Sequence, residues 1–296
     1  MTERQTLFEE ENRRKKAEYP FYCYRMPDEE LNRPVVPVHW HNEMEIFYSE
    51  ACGTLYIDKT EYDVVPGDIF FINPGLIHRT FRKSHGLMSH IVFSLGILKT
   101  MSGGNEVNKR IDAMLEQKIQ IKAKAGQGSE WYNDLLPIIS GILEYQEKII
   151  EIGHESCMVT AYLFAMFASC YKADCFHCAD ENYLYGVQYV TRIMEYIGEH
   201  YREPLNVSTL AKYLSISETY LFRLFRDYVG CTPINYINSV RLREAYRLLE
   251  EGMDVTGTAA DVGIQNVSYF IKLFKSTTGQ TPFGWIKEKK EKKERT

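Results

Sequence analysis

The chain has no long hydrophobic run. Its most apolar stretch, Cys157–Cys170 (CMVTAYLFAMFASC), falls short of the ~20 residues a membrane-spanning helix needs and predicts a buried core helix. The first residues, MTERQTLFEEENRRKK, are charged throughout and lack the apolar core of a secretory signal. Seven cysteines, an odd count without a regular framework, argue against a disulfide-stapled scaffold and fit a reducing compartment. These absences predict a cytoplasmic protein with no membrane partner. A basic excess is missing too. The chain carries 35 Lys+Arg against 40 Asp+Glu, a net charge of −5, whereas nucleic-acid-binding domains are usually basic. What is present is an ordinary globular composition, 45% apolar and 25% charged over 296 residues. That excludes a largely disordered chain and suggests two domains at ~100–200 residues each.

The chain has distinct textures. Residues 1–34 read as an N-terminal arm. Residues 35–103 read as a barrel of short strands (EIFYSE, TLYID, YDVV, DIFFIN, HIVFSL), broken by turns at Cys52-Gly53, Asp58-Lys59, Pro66-Gly67 and Asn73-Pro74-Gly75. Over 104–172 the apolar period becomes helical, with Val107, Ile111, Met114 and Leu115 on one face. Further helices are expected from Glu130 to Ile152 and over Cys157–Cys170. This segment holds more apolar surface than a small barrel needs, which predicts a twofold dimer interface on the Glu130–Ile152 helix. Residues 173–182 read as a linker, and 183–296 as entirely helical. Cys170-x4-Cys175-x2-Cys178, with Cys157 nearby, matches one iron–sulfur spacing. It straddles a helix end and the linker, so buried, unmodified thiols are the expectation.

The charge divides unevenly. Residues 1–182 hold 19 Lys+Arg and 27 Asp+Glu, a net of −8. Residues 183–296 hold 16 and 13, a net of +3, and the tail KEKKEKKER at 287–295 supplies all of that excess. Residues 183–286 are therefore neutral, and only the placement of individual basic residues can suit them to DNA.

That placement is regular. In Leu210–Arg226 (LAKYLSISETYLFRLFR) a short helix, a tight turn and a second helix follow one another, with Ser217 a good N-cap. Tyr220, Leu221, Leu224, Phe225 and Tyr228 line one face, leaving Thr219, Phe222, Arg223 and Arg226 on the other. About fifty residues on, Ala259–Lys275 (AADVGIQNVSYFIKLFK) repeats the pattern. There Phe270 and Phe274 point inward, and Val267, Ser268, Ile271, Lys272 and Lys275 outward. Both copies end alike, in Gly230-Cys-Thr-Pro233 and Gly279-Gln-Thr-Pro282. Two helix-turn-helix units joined by a helical strut over Asn235–Glu250 follow from this repeat.

In the barrel, Val38-His-Trp-His-Asn-Glu-Met-Glu45 puts His39, His41 and Glu45 at odd positions, on one face of a strand. His78 follows on a strand that can lie alongside. Three imidazoles and a carboxylate are a feasible divalent-metal site, a polar patch for a small effector, or imidazoles satisfied within the barrel; the residues leave these readings open.

Residues 183–286, through YLFRLFRDYVGCTPINYINSVRLREAYRLL and VSYFIKLFKSTTGQTPFGWI, resemble the DNA-binding domain of the AraC family of bacterial transcription regulators. The H-x-H-x3-E stretch followed by Gly53 resembles the first motif of the cupin fold, and the second cupin motif is met in part by Pro66-Gly67-Asp68 and Pro74…His78. The resemblance implies an α+β chain: a cupin-like sensor barrel with a helical dimerisation segment, then an all-α double helix-turn-helix domain of seven helices. It implies a sequence-specific regulator of promoter DNA, acting as a homodimer with RNA polymerase and expected to activate, controlled by a small-molecule effector with carbohydrate a candidate. No catalytic role is implied. Carried over by position, Thr219, Phe222 and Arg223, then Val267, Ser268 and Lys272, are base-contacting candidates, with Arg226 and Lys275 at phosphates. His39, His41, Glu45 and His78 are the effector candidates, and a divalent metal is the alternative occupant. The sequence departs from the family pattern at Gly257, Thr258-Ala259 and Ile264, which predicts a less rigid second unit. The competing class is a metal-dependent cupin enzyme with a helical appendage.

Overall fold

Alternation of inward and outward side chains builds the first half of the molecule. The computed structural model describes residues 19–26, 31, 34–101, 105–146, 148, 150, 152–179 and 181–293. Most of the stretch read as an N-terminal arm therefore lies outside the described residues. Its described part is not an arm: Phe21–Met26 forms β1, paired along its length with β8 (Met88–Phe93). Between them run β2 (Pro34–His39), β3 (Met44–Ser49), β4 (Gly53–Ile57), β5 (Thr60–Val64), β6 (Ile69–Ile72) and β7 (His78–Arg82). They make two antiparallel sheets, ordered β1-β8-β3-β6 and β2-β7-β4-β5. Two short strands, β9 (Ile119–Ile121) and β10 (Lys124–Ala125), follow, and β10 extends the first sheet beside β6.

Side-chain parity divides the core. Phe47, Phe70, Ile72, Met88 and Val92 join Leu55, Ile57 and Val64 between the sheets. Met44, Ile46, Ile69, Phe71, Ile91 and Phe93 face the other way, into a second core. Four helices fill that side: α1 (Gly96–Met101), α2 (Asn105–Leu115), α3 (Glu130–Leu143) and α4 (His154–Lys172). Trp131 of α3 stacks on Phe71 with ring centroids 5.3 Å apart. The helix expected to reach Ile152 ends at Leu143. Its apolar side chains Leu135, Ile139 and Ile142 are buried against the chain's own sheet, which accounts for apolar surface otherwise assigned to a dimer contact. Pro137 lies inside α3 on its exposed side. A helix-interior proline costs ~3 kcal/mol. Burial of several large side chains at ~1.5–3 kcal/mol each outweighs it. The stretch read as a linker holds β11 (Phe176–Cys178), which pairs with β9.

The chain divides into two compact units between Gln188 and Tyr189, inside α5 (Glu181–His200). The second unit continues with α6 (Val207–Tyr213), α7 (Glu218–Leu224), α8 (Pro233–Glu250), α9 (Val255–Asp261), α10 (Val267–Thr278) and α11 (Pro282–Lys293). Counting α5, seven helices are described here. Five of the starts are written in the sequence. Asn206, Ser217, Thr232, Asp254 and Asn266 all stand at N-caps, and the side chain of each accepts a backbone N–H of the first turn. None of the helices among the described residues is long and apolar enough to cross a membrane.

Candidate functional site

Two places concentrate functional side chains, one in each unit. Inside the first, His39 ends β2, Glu45 lies on β3, and His78 opens β7 directly across from His39 in the strand register. His41 occupies the turn between β2 and β3. The four residues do not share one strand face, as their odd numbering suggests. A chain reversal and strand pairing bring them together. Their ligand-type atoms lie within 4.8 Å of one another, the one such group of His, Cys, Asp or Glu among the described residues. The cysteine run forms none: Cys170 and Cys175 are buried, Cys157 and Cys178 exposed, and all are free thiols.

Glu45 is the hub. Its Oε2 lies 2.9 Å from His41 Nε2 and 3.3 Å from His78 Nε2. Its Oε1 accepts from His90 Nδ1 at 2.7 Å. Burial pushes the Glu45 carboxyl up, but the His78 charge and the imidazole hydrogen bonds outweigh it and hold the group well below the usual carboxylate range. His90 is the member that sequence reading missed. It shares the inward parity of Met88 and Val92 on β8, a signal available only once that strand's register against β3 is known. Asp58, also buried, sits in the turn after β4 with positive φ (49°), and its Oδ1 accepts from Ile77 N at 2.9 Å. Burial, opposed by that hydrogen bond and by the charges of His78 and Lys59, pushes its carboxyl up to about 7.

In the second unit, α6, the turn Leu214–Ser217 and α7 form one helix-turn-helix. A wider helical turn, Phe225–Val229, prolongs α7 to Gly230. Leu221, Leu224 and Phe225 are buried, and Thr219, Phe222, Arg223 and Arg226 are exposed. Phe222 is 43% exposed, an aromatic kept in solvent beside two cations. The Arg223 guanidinium lies 4.9 Å from the Tyr220 ring centroid. A concavity of approximately 850 Å³ runs along this face, bounded by Thr219, Phe222, Arg223, Arg226 and the Gly230–Asn235 segment.

Helices α9 and α10 repeat the arrangement with a turn one residue longer. Thr219, Arg223 and Arg226 correspond to Ser268, Lys272 and Lys275 at an offset of 49 residues, and the latter three are exposed. Val267 and Ile271 depart from the outward expectation: both are half-buried and pack on the core around Phe270 and Phe274. Tyr269 is the exposed aromatic instead (45%), and its hydroxyl accepts from Asn238 Nδ2 of α8 at 3.0 Å. Asp254 Oδ1 accepts from the backbone N of Thr256 and of Gly257, both at 3.0 Å. A Cβ on Gly257 would stand 3.0 Å from Asp254 Oδ2, crowding the cap.

Family comparison agrees with both units. Residues 27–86 match the family model of the AraC-like ligand binding domain, and residues 210–288 match that of a helix-turn-helix domain. An uncharacterized HTH-type transcriptional regulator of Bacillus subtilis, YdeC, is 22% identical over 276 residues, covering 92% of this chain and 93% of that protein. The Msm operon regulatory protein of Streptococcus mutans is 24% identical over 82% of this chain and 83% of its own length. The bifunctional transcriptional activator/DNA repair enzyme AdaA of B. subtilis is 38% identical over 96 residues, only 46% of that protein. Among solved structures, ToxT from Vibrio cholerae, described with an unsaturated fatty acid bound, shares the fold at 14% identity and a TM-score of 0.51, over 91% of this chain and 96% of that one. With an AraC-like ligand binding domain ahead of a doubled helix-turn-helix, the chain has the two-domain arrangement of AraC-type transcription regulators.

Proposed function

We propose that this regulator reads promoter DNA through α7 and α10 and answers to a small molecule held at His39, His41, Glu45 and His78. One observation carries the DNA half. Of the exposed set Thr219, Phe222, Arg223 and Arg226, three recur 49 residues later, as Ser268, Lys272 and Lys275, on a second capped helix after the same kind of turn. Arg223 and Lys272 pair with base edges, and Phe222 packs on a thymine methyl. Thr219 and Ser268 touch bases at the helix starts, and Arg226 and Lys275 neutralise phosphates. Dimers on repeated sites give the two readers four grooves to enter. The exposed face of α4, with Met158, Ala161, Ala165 and Ala168, is available for that pairing.

The barrel half rests on chemistry. A buried carboxylate and converging imidazoles exchange hydrogen bonds with hydroxyl-bearing ligands, carbohydrates included, better than with a hydrocarbon chain such as the fatty acid bound by ToxT. The effector shifts the regulator only by binding one state better than another. The relatives that match over most of their length are regulators, which supports a cytoplasmic role at promoters, by activation with RNA polymerase, and no catalysis. The Arg223→Ala substitution tests the assignment. Footprinting and binding titration on the operator are expected to show a loss of ~1–3 kcal/mol and relaxed preference at one base position. Unchanged operator affinity and preference would remove α7 as the first reader.

A further inference from the structure

Two buried thiols meet where α4 ends. The helix closes in a left-handed cap. Asp174 stands at φ 47°, its N–H donates to Tyr171 O at 3.2 Å, and Cys175 N donates to Cys170 O at 3.2 Å. This is the Schellman arrangement, which sets residues five apart side by side and is ordinarily filled by an apolar contact. Here both residues are cysteine, and both are buried. Their backbone hydrogen bond keeps the Cα atoms within the ~4.4–6.8 Å that a disulfide spans. The two thiols also share a hydrogen bond, which makes the sulfurs unequal. It raises Cys170, as burial does. It lowers Cys175 against the effect of burial, with help from the Lys122 charge. Cys175 therefore holds the thiolate, the nucleophilic form, and Cys170 keeps its proton. Cys175 lies between exposed Asp174 and half-buried Phe176, at a helix end, where local opening is easiest.

We propose that Cys170 and Cys175 are a reversible thiol–disulfide couple, oxidised by hydroperoxides and restored by low-molecular thiols. The Cys175 thiolate attacks one peroxide oxygen. An S–O bond forms, the O–O bond breaks, and the departing oxygen takes up a proton to leave as water or an alcohol. The Cys170 sulfur then attacks the sulfenic sulfur of Cys175. The S–S bond forms, and the hydroxyl leaves as water with the Cys170 proton. The two sulfurs together lose two electrons, and the peroxide gains them. Two equivalents of a low-molecular thiol reverse the bond by exchange and end as their own disulfide. In a reducing compartment the dithiol is the resting form, and the disulfide is a transient signal. The bond acts on one short stretch of chain. Cys175 O accepts from Lys122 N at 2.9 Å, and Cys175 leads directly into β11 and then α5. Oxidation clamps that stretch to the last turn of α4. The couple shares no residue with the barrel cluster, so it holds whatever that cluster binds.

The test uses the full-length chain with C157S/C178S, both exposed positions. The tryptic peptides on either side of Lys172 then carry Cys170 and Cys175 as their sole cysteines. The folded protein is treated with hydrogen peroxide, blocked with N-ethylmaleimide and digested without reduction. The two peptides should appear joined, and dithiothreitol added before blocking should return both as labelled thiols. In the same background, C170S should leave Cys175 as a sulfenic acid that dimedone traps, and C175S should leave Cys170 unreacted. Oxidation should slow amide exchange over residues 173–178 by roughly tenfold, because a cross-link suppresses local opening. Recovery of both labelled thiols after peroxide overturns the couple, as does a joined peptide that forms only in denatured protein. Dimedone labelling of Cys170 in C175S, with none of Cys175 in C170S, overturns the assignment of the nucleophile. Unchanged exchange in fully joined protein removes the clamp.

Discussion

At the scale of single residues, the barrel interior carries more polar chemistry than a core needs. Asp58 is the clearest case beside the His and Glu set. It is 5% exposed, and its Oδ2 has no hydrogen-bond partner among the described residues. With its carboxyl pushed up to about 7 by burial, the folded state keeps a proton that the unfolded chain, at ~3.9, has already released. Stability therefore falls as pH rises from about 4 to about 7, and the full penalty applies above that. Asp58→Asn removes the charge, retains an acceptor for Ile77 N and tolerates the left-handed backbone. In EDTA, its Tm is expected to exceed wild type at pH 8 by an amount equivalent to a few kcal/mol at most and to match it near pH 4. Parallel Tm curves for the two proteins across that range would show that Asp58 is not the titrating group.

At the scale of elements, the two helix-turn-helix units solve one turn differently. The first places Ser215 at φ 56°, and the second places Gly263 at φ 78°. Ser215 has room for its side chain. A Cβ on Gly263 would lie 2.5 Å from Arg202 O and 2.9 Å from Tyr201 O, and backbone oxygens cannot swing away. The Tyr201 and Glu203 carbonyls are themselves held by Arg241 of α8, through Nε at 2.8 Å and Nη2 at 2.7 Å. Gly263→Ala should therefore cost more than the ~1 kcal/mol usually attached to a strained left-handed residue. Calorimetry should show a lowered Tm, and footprints should shrink on the half-site read by α10 while the α7 half persists. A Tm within a degree of wild type would mean that the α5–α6 connection yields easily. Periodicity exposed most of these elements, since β3 to β6, β8, α7 and α10 are long or regular enough to read. The short strands β9, β10 and β11 escaped because two or three residues carry no period. β1 escaped because FYCYRM, taken alone, reads no differently from a flanking segment.

At the scale of the molecule, charge is partitioned. Residues 1–182 hold a net −8, and 183–286 are neutral. DNA affinity then rests on a few placed cations, chiefly Arg223, Arg226, Lys272 and Lys275. With a slope of ~0.9 per neutralised phosphate, log K against log salt should be no steeper than about −4 per protomer. Lys275→Ala should make it shallower by ~1 and weaken all sequences alike. A much steeper slope, insensitive to these residues, would transfer binding to the Lys-rich end of α11. Association is the second property at this scale. Sedimentation at micromolar concentration should give a dimer, and Ala161→Glu on the exposed face of α4 should give a monomer that still folds. A wild-type monomer with and without operator would remove pairing through α4.

The sequence by itself determined the two-part plan, the doubled reader and its exposed cations. Those signals are local: caps, a 3.6-residue period, and a motif repeated with its Gly-x-Thr-Pro end. It also singled out His39, His41, Glu45 and His78 as residue types, though for the wrong geometric reason. Only the tertiary structure decided that a reversal at His41 and the pairing of β2 with β7 bring them to one point. It alone placed His90 behind Glu45, turned Val267 and Ile271 toward the core, and buried the apolar face of α3 against its own sheet. Those outcomes depend on register and packing between segments far apart in the chain, which no local pattern encodes.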